Sequence, residues 1–449
     1  MAEPSVIIIG AGTFGTSTAY HLSHAYKDPS RVTVIDLAPS PPKQAAAIDV
    51  NRIIRTDYPT SLYCNLANEA IYAWFWSLDL QRYFHKTGWI MIDDTDETNS
   101  LSSRVRATFK ARGADPTHGI PLEELSQEWD VLQATETRGF HTAYFNPEAG
   151  WCDAALATDN LMKAAEKRGV RRVTARVTEL MVDADLERVS GVRTADGETY
   201  SADTIVLAAG AWTSSLLSPV EDLLDIPDED RIERQMQAVG RVAAYYTMSE
   251  EDVERCAKSK LPVICYGLKG EAIPPSRTNK TFTYRNSETS FTNTLTTDSG
   301  KTISAPRSQH AVDQTSVPES LKQALHDIVS SKVAPHFASP ARLDHWRICW
   351  DAVTPTEDWL MCRHPHTRLQ NLYLAVGGSF HSYKFLPNAG KYMLNVLQGK
   401  TNGREKDAAW GWKHVSDTGC SADKKVNEPL RELQSYESPG VPQESRSRL

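Results

Sequence analysis

The chain opens with the stretch Val6-Ile7-Ile8-Ile9-Gly10-Ala11-Gly12-Thr13-Phe14-Gly15, and a second apolar stretch, Val32-Thr33-Val34-Ile35-Asp36, follows it. A short β-branched run enters a glycine turn, and a helix-compatible segment, 16–24, leaves that turn. The second apolar run ends in an acidic residue. This order of strand, glycine turn, helix and strand predicts a βαβ unit that binds a dinucleotide.

The glycine spacing gives each glycine a separate role. Gly10 allows the tight turn, Gly12 the close approach of a pyrophosphate, and Gly15 the close packing of helix against strand. The helix N-terminus offers free N–H groups to the phosphates. Asp36 is expected to bind a ribose hydroxyl, and the predicted cofactor residues here are Gly10, Ala11, Gly12, Thr13, Phe14, Gly15 and Asp36. A glycine turn without function is the alternative.

Composition bounds the class of protein. The 449 residues suffice for two domains, and the contents of 40% apolar and 24% charged residues are typical of a globular enzyme. A net charge of -8 without Lys/Arg runs argues against nucleic acid as a partner. No apolar run is long enough to span a membrane. Seven cysteines without C-x-x-C spacing indicate a reducing compartment, and we expect no metal site.

The order of segments predicts two interleaved domains. The stretch 204–212 is typical of a buried strand ending in a small-residue turn, which places Ala209, Gly210 and Trp212 beside the cofactor. A strand over 170–177 brings Val177 to the same edge. Helices are predicted over 62–85 and 154–169, and strands over 237–246 and 280–284. We predict a nucleotide-binding domain (1–60, 147–224, 336–402), a substrate domain (61–146, 225–335) and a tail (403–449).

Three further stretches are characteristic: Arg52-Ile53-Ile54-Arg55, Arg347-Ile348-Cys349-Trp350 and 377–385, Gly-Gly-Ser-Phe-His-Ser-Tyr-Lys-Phe. With the glycine turn, they make the chain resemble the sarcosine oxidase and fructosyl amino acid oxidase (amadoriase) branch of the D-amino-acid-oxidase-like flavoproteins, in its fungal form. The resemblance runs from residue 5 to about residue 400. It implies an α/β fold (α+β overall), in which a Rossmann-like FAD-binding domain interleaves with a mainly antiparallel β-sheet substrate domain.

The resemblance implies a covalent cofactor. In the family, the cysteine matching Cys349 is joined through sulfur to the 8α-methyl of the flavin, and a neighbouring cation such as Arg347 would lower the pKa of the thiol. An inert buried cysteine is the alternative. Arg52, Gly377, Gly378 and Lys384 complete the predicted FAD contacts.

The resemblance also implies a site for the carboxylate of an amino-acid substrate. In the family, the residues matching Arg55 and Lys384 bind that carboxylate, as charged donors can in a dry pocket. Surface charges at element ends are the alternative. The histidine matching His381 lies beside the flavin, although a satisfied polar residue in the turn is nearly as good a reading.

Two positions depart from the family pattern. In the oxidases, a lysine over the flavin ring helps to reduce O₂ by stabilising the developing superoxide charge. Thr283 stands at that position, with Lys280 three residues earlier, so either a shifted loop lets Lys280 serve or O₂ activation is weaker or differently arranged. Asp351 stands where bacterial relatives have a tyrosine. It would hold a substrate ammonium or form a buried ion pair.

The implied function is an FAD-dependent amine oxidase. Arg55 and Lys384 would anchor a secondary amine with a carboxylate, a hydride would pass to the flavin, and the imine would be hydrolysed, with O₂ reduced to H₂O₂. A biosynthetic flavoenzyme that oxidises an N-methyl or cyclic amine, with capture of the imine within the molecule, is the nearest alternative. A non-enzymatic binding protein and an NAD enzyme are the others.

The last three residues, Ser447-Arg448-Leu449, are a basic variant of the S-K-L peroxisomal address. Chance occurrence is the alternative. The expected partners are therefore a small amine substrate, O₂ and a peroxisomal import receptor, with no nucleic acid and no membrane. We expect a monomer in the peroxisome or otherwise in the cytoplasm.

Overall fold

The glycine-turn stretch forms the first strand and helix of a six-stranded sheet in the computed structural model, which describes residues 3–41, 44–183, 188–307, 314–414 and 430–437. In spatial order, the strands of this sheet are Leu360–Arg363, Leu372–Val376, Thr204–Leu207, Val6–Ile9, Val32–Asp36 and Arg171–Thr174. All neighbouring pairs run parallel except the edge strand Leu360–Arg363. The first four strand residues, Val6–Ile9, are all buried, as expected for a parallel sheet covered on both faces.

A larger, mainly antiparallel sheet faces the first one. Its ten strands, within the described residues, are Arg431–Glu432, Phe291–Thr292, Gln237–Thr247, Thr281–Asn286, Gly270–Ile273, Val263–Tyr266, Trp89–Asp93, Thr142–Asn146, His118–Ile120 and Leu343–Val353. The α/β architecture with an interleaved, mainly antiparallel sheet is therefore confirmed.

Helices and three small sheets complete the described structure. The helices are Thr13–Ala25, Ser61–Trp76, Leu101–Ala111, Leu125–Glu128, Ala154–Lys167, Thr213–Leu223, Glu250–Ser259, Glu319–Ile328, Ala389–Leu397 and Arg404–Trp410. The small sheets pair Val189–Thr194 with Val177–Val182 and Thr199–Ser201, Gly150–Cys152 with Arg52–Ile54 and Phe84–His85, and Thr294–Thr296 with Thr302–Ser304.

Several predicted elements have different bounds. The helix expected over 62–85 ends at Trp76, because the chain turns extended at Ser77 and then forms the short strand Phe84–His85. The single strand expected over 170–177 is two strands, Arg171–Thr174 and Val177–Val182, in different sheets. The strand expected over 280–284 is Thr281–Asn286.

The strand Leu343–Val353 has a place that the sequence did not indicate. It pairs antiparallel with Gln237–Thr247 along its length, with Cys349 opposite Arg241. This strand therefore belongs to the larger sheet, although the range 336–402 was assigned to the nucleotide-binding domain. The division into domains stays a prediction, and the tripeptide Ser447-Arg448-Leu449 lies outside the described residues.

The glycine turn offers a test of how tightly the first helix packs. A Cβ atom at Gly15 would stand 1.8 Å from the carbonyl oxygen of Gly10, whereas a Cβ atom at Gly12 would find its nearest neighbour, Ala45 Cβ, at 3.8 Å. We expect Gly15→Ala to cost about 1–3 kcal/mol or more of unfolding free energy, since the helix must move away from the strand. Chemical denaturation of the cofactor-free protein measures this.

Gly12→Ala is the matched control, because the same methyl group is added three residues before Gly15 without a backbone clash. Equal stability losses in the two variants would contradict the packing role of Gly15.

Candidate functional site

A cavity of about 1080 Å³ runs between the two sheets. One end lies at the carboxyl ends of the parallel strands, beside Gly10 and Asp36, and the other end is lined by Arg55 and Lys384. Ligands of open α/β sheets bind at this edge, because the turns that leave the strands there present backbone N–H groups.

The glycine turn forms one end of the cavity. Gly10 has φ +102°, a conformation that favours glycine, and a Cβ there would meet the carbonyl oxygen of Ala208 at 2.5 Å. Asp36 lines the cavity and accepts hydrogen bonds from the N–H groups of Ala11 (2.8 Å) and Ala38 (3.1 Å). Burial raises the pKa of Asp36, and these N–H groups partly offset the effect.

Most of the predicted cofactor residues line this one cavity. They are Gly10, Gly12, Thr13, Phe14, Asp36, Arg52, Val177, Ala209, Gly210, Trp212, Cys349, Gly377, Gly378 and Lys384. Ala11 and Gly15 are not in the lining: the Ala11 N–H holds Asp36, and Gly15 packs against Gly10. Both therefore shape the turn beside the cavity lining, and their contact with the cofactor stays a prediction.

The buried carboxylate of Asp49 binds two arginines that line the cavity, Arg52 and Arg285. Arg52 Nη1 donates to Asp49 Oδ2 at 2.7 Å, Arg285 Nη2 to the same oxygen at 3.0 Å, and the Tyr245 hydroxyl to Oδ1 at 2.9 Å. Burial alone would raise the pKa of Asp49, but Arg52, Arg285 and Arg347 hold it below its usual value. Asp49 is therefore ionised and fixes two arginines at the cavity wall.

Cys349 lies in the cavity wall beside Arg52. Burial would lower the pKa of Arg52, but Asp49 and the neighbouring Cys349 raise it above its usual value. Arg347, the cation expected beside the thiol, instead donates to the carbonyl oxygens of Ile48 and Ala45. Residues 347 and 349 share a strand face, but the Arg347 guanidinium extends past the thiol to the loop before Arg52. Arg52 is therefore an arginine next to the thiol.

Arg55 and Lys384 meet at the far end of the cavity. The Arg55 guanidinium lies over the rings of Tyr58 (4.9 Å) and Trp89 (5.0 Å) and donates to the Asp57 carbonyl oxygen. Lys384 Nζ is 2.9 Å from the Tyr58 hydroxyl oxygen. Burial and Arg55 lower the pKa of Lys384 well below its usual value. An anion bound between the two cations would relieve this repulsion.

His381 supports that end of the cavity as a neutral ring. Its Nε2 lies 2.9 Å from the Glu357 carbonyl oxygen, and its Nδ1 lies 3.0 Å from the Tyr58 hydroxyl oxygen. Burial and the adjacent Lys384 lower the pKa of His381 to about 3. The ring therefore connects the Glu357 loop to the Tyr58–Lys384 pair and lines the cavity as well.

Asp351 braces the turn that follows Gly378. Its carboxylate accepts hydrogen bonds from the N–H groups of Phe380 (2.7 Å) and Ala352 (2.9 Å), and burial raises its pKa to about 6. Ser379 and Phe380 both have positive φ, at +47° and +60°. Of the two alternatives for Asp351, the buried ion pair is not formed among the described residues. Instead, the carboxylate holds a strained turn that lines the cavity.

Neither Lys280 nor Thr283, the residue that stands where the family pattern has a lysine, lines the cavity. Lys280 points away from the cavity to Glu250, with 2.9 Å between Nζ and Oε1, because it lies before the strand at φ +49°. We therefore no longer place Lys280 at the site. Thr283 is buried outside the cavity lining and donates to Asn51 Oδ1 at 2.8 Å.

Arg285 is the cation that this strand contributes to the cavity. It lies two residues after Thr283, on the same face of the strand, and lines the cavity. Its Nε and Nη1 atoms are buried without a hydrogen-bond partner in the described structure. Arg285, Asp49 and Arg241 were not predicted, because no characteristic motif surrounds them in the sequence. Tyr58 was not predicted either, although it lies three residues after Arg55.

The cavity fits a dinucleotide such as FAD. Gly12 is open toward it, the first helix presents its N-terminus, and the Trp212 indole N–H is buried without a partner in the part of the chain described. With the two free nitrogens of Arg285, these donors suit the phosphates of a dinucleotide and the carbonyl oxygens of a flavin.

Among the described residues, no cluster of His, Cys, Asp or Glu side chains is arranged to hold a metal ion. No described helix is long and apolar enough to cross a membrane.

Known proteins share this architecture. A family model described as FAD dependent oxidoreductase (DAO) matches residues 5–395. L-saccharopine oxidase of Schizosaccharomyces pombe is 26% identical, with 91% of this chain and 93% of the relative covered. An amino acid oxidase of Aspergillus flavus, imqH, is also 26% identical, with coverage of 90% and 94%. The crystal structure of a modified fructosyl peptide oxidase from Aspergillus nidulans is 26% identical and superposes with a TM-score of 0.81 over 98% of this chain and all of that one (100%).

Asp49 allows a test of the arginine cluster. We expect Asp49→Asn to lower the unfolding free energy by about 3–5 kcal/mol, because it leaves Arg52 and Arg285 buried beside a neutral group. Since the folded-state pKa is depressed, the contribution of Asp49 is present above its unfolded pKa of about 3.9 and is lost as pH falls further. Denaturation curves of the wild type and of Asp49→Asn, from neutral to acid pH, measure the difference in unfolding free energy between them.

Glu254→Gln is the control, since Glu254 forms an exposed pair with Arg277. It should change stability little. An Asp49→Asn protein as stable as the wild type at neutral pH would contradict the assigned role.

Proposed function

Because the chain belongs to the FAD dependent oxidoreductase (DAO) family, we propose that it oxidises the C–N bond of an N-substituted amino acid. The observation that supports this most is the pair of basic side chains Arg55, which is partly exposed, and Lys384, which is buried, both lining one cavity. A carboxylate is the ligand that such a pair suits, because each cation offers charge-assisted hydrogen bonds. The Tyr58 hydroxyl and the His381 carbonyl oxygen, which accept hydrogen bonds from Lys384 Nζ, orient this side chain toward the ligand.

FAD would be held along the whole cavity. The glycine turn, the helix N-terminus and Asp36 would hold the adenosine and phosphate end, and the donors of Arg52 and Arg285 would face the flavin end. When bound, FAD supplies the acceptor for the hydride that leaves the carbon next to nitrogen. The residues of this chain bind the carboxylate, exclude water through Trp89 and Tyr58, and fix the orientation of the amine.

We infer O₂ as the electron acceptor, with H₂O₂ as the product. The positive charge that favours O₂ reduction would come from Arg285 rather than from a lysine. The Arg285 side chain lines the cavity, and Asp49 keeps the guanidinium in place. An arginine stays charged at any working pH, so this arrangement does not need a tuned pKa.

The substrate belongs among secondary amines with a carboxylate. L-saccharopine, for which one relative is named, is such a compound. Fructosyl peptides, for which the structural neighbour is named, are others. The predicted peroxisomal address at 447–449 suits an enzyme that releases peroxide. We propose that the enzyme works there, with an import receptor as its partner, and as a monomer.

We further propose that Cys349 carries the flavin covalently. Its thiol lines the cavity beside Arg52 and would form a thioether with the 8α-methyl carbon of the flavin; the thiol proton and one methyl proton would be released, and the two electrons would pass through the reduced flavin to O₂. Cys349→Ser should then release the flavin into the supernatant when the protein is precipitated with acid, whereas the wild type retains it in the pellet. Flavin absorbance in both fractions is the measurement.

Cys265→Ser is the control for this experiment, because Cys265 also lines the cavity and is buried. Its flavin should stay in the pellet. Flavin released from the unmodified protein would contradict the covalent link.

Lys384→Met tests the carboxylate site. We expect kcat/KM for N-methyl amino acids to fall by about 10- to 100-fold, the range of one charge-assisted hydrogen bond. Steady-state kinetics give the value. Lys391→Met, which removes a half-exposed lysine paired with Glu69, should leave kcat/KM unchanged. If both variants behave like the wild type, Lys384 is not at the site.

A further inference from the structure

Arg241 is a cation in the cavity wall that the proposed chemistry does not use. It lies opposite Cys349 in the pairing of Gln237–Thr247 with Leu343–Val353, so both side chains are on the face that lines the cavity. The site for the first carboxylate is formed by Arg55 and Lys384, which come from other segments. Arg241 therefore marks a second position of positive charge.

The Arg241 side chain is held in place. Its Nε donates to the Ser290 hydroxyl oxygen at 2.9 Å, and its guanidinium carbon lies 4.2 Å from the centre of the Phe380 ring. Phe380 is itself fixed in a strained backbone conformation by the Asp351 carboxylate. A guanidinium stacked on an aromatic ring keeps its outer edge free for a planar anion. This is a preorganised donor rather than a side chain extending to solvent.

The charge of Arg241 lacks a direct partner. Among the described residues, no carboxylate forms an ion pair with it, and its two terminal nitrogens make no hydrogen bond. Glu357, Glu271 and Asp351 act on it only through the longer-range field, which partly offsets the lowering of its pKa by burial. A buried cation without a paired anion is costly, and the cost is recovered when an anionic ligand binds.

Glu271 is an acidic residue whose charge acts on both cationic positions. It lines the cavity, and its charge acts on Arg55 and Lys384 as well as on Arg241. A ligand that reaches both positions would thus pass a carboxylate on its way. An amine nitrogen between two acidic groups has the matching sequence of charges.

We propose that Arg241 binds a second acidic group of the substrate, so that the preferred substrates are secondary amines with at least two carboxylates. This inference rests on the proposed amine oxidation. It adds a specificity residue, because a substrate with one carboxylate would leave Arg241 buried and unpaired.

The test uses the flavin-loaded enzyme and two matched series. In the first, binding of succinate, glutarate, adipate and pimelate to the oxidised enzyme is compared with that of monocarboxylates of equal chain length, by perturbation of the flavin spectrum. In the second, anaerobic flavin reduction by N-(ω-carboxyalkyl)glycines is compared with that by N-alkylglycines of equal length. At least one diacid length should bind about tenfold tighter than its monoacid, and the matching glycine should react faster by a similar factor.

Arg241→Gln should abolish this preference by slowing the reaction of the N-(ω-carboxyalkyl)glycines, and Arg241→Lys should retain part of it. An unchanged preference in Arg241→Gln, or no preference in the wild type, would overturn the inference while leaving amine oxidation intact. Loss of FAD from both variants would also overturn it, since Arg241 would then serve the cofactor. If neither glycine series reduces the wild-type flavin, the proposed function itself fails.

Discussion

The buried carboxylate of Asp49 is the interaction on which the centre of the molecule depends. It accepts hydrogen bonds from Arg52, Arg285 and Tyr245, which belong to three separate segments of the chain. Burying this charge is unfavourable by itself, and the arginines compensate for it. The loop before Arg52 and the strands Thr281–Asn286 and Gln237–Thr247 are therefore fixed relative to one another. Cys349 and the cavity wall take their positions from this arrangement.

The cations of the cavity divide into two groups by their partners. Arg52 and Arg285 share the single negative charge of Asp49, so they are structural donors that keep a net positive charge beside the cofactor end of the cavity. Arg55, Lys384 and Arg241 form no ion pair among the described residues. A cavity that keeps such charges without ion-pair partners suits an anionic ligand, because that ligand would compensate for their desolvation. The neutral His381 and the hydrogen-bonded Asp351 adjust positions without altering this balance.

The fold and one end of the site could be predicted from the sequence because their signals are contiguous. The strand, glycine turn and helix of residues 6–25 and the acidic end of the second strand specify the dinucleotide end within a short span. Arg55, Cys349 and Lys384 were found because each stands in a characteristic stretch. The boundary at Trp76 was missed, since a helical pattern continues beyond it while a pairing with Gly150–Cys152 takes over.

The remaining parts of the site depend on long-range pairing. Asp49, Arg241 and Arg285 are single residues in ordinary strands or loops, and only the register of distant strands brings them together. Lys280 was considered because of its charge, but its position before the strand directs it to Glu250. A side chain's face in a strand follows from register, which composition does not specify.

The most direct test of the account is anaerobic titration of the flavin-loaded protein with three matched compounds. They are an N-methyl amino acid, the same amine without its carboxylate, and the 2-hydroxy acid of equal shape. The account predicts that the N-methyl amino acid bleaches the flavin stoichiometrically and that the other two do so slowly or not at all. Bleaching by the hydroxy acid at an equal rate, or a flavin that no N-substituted amino acid reduces, would contradict it.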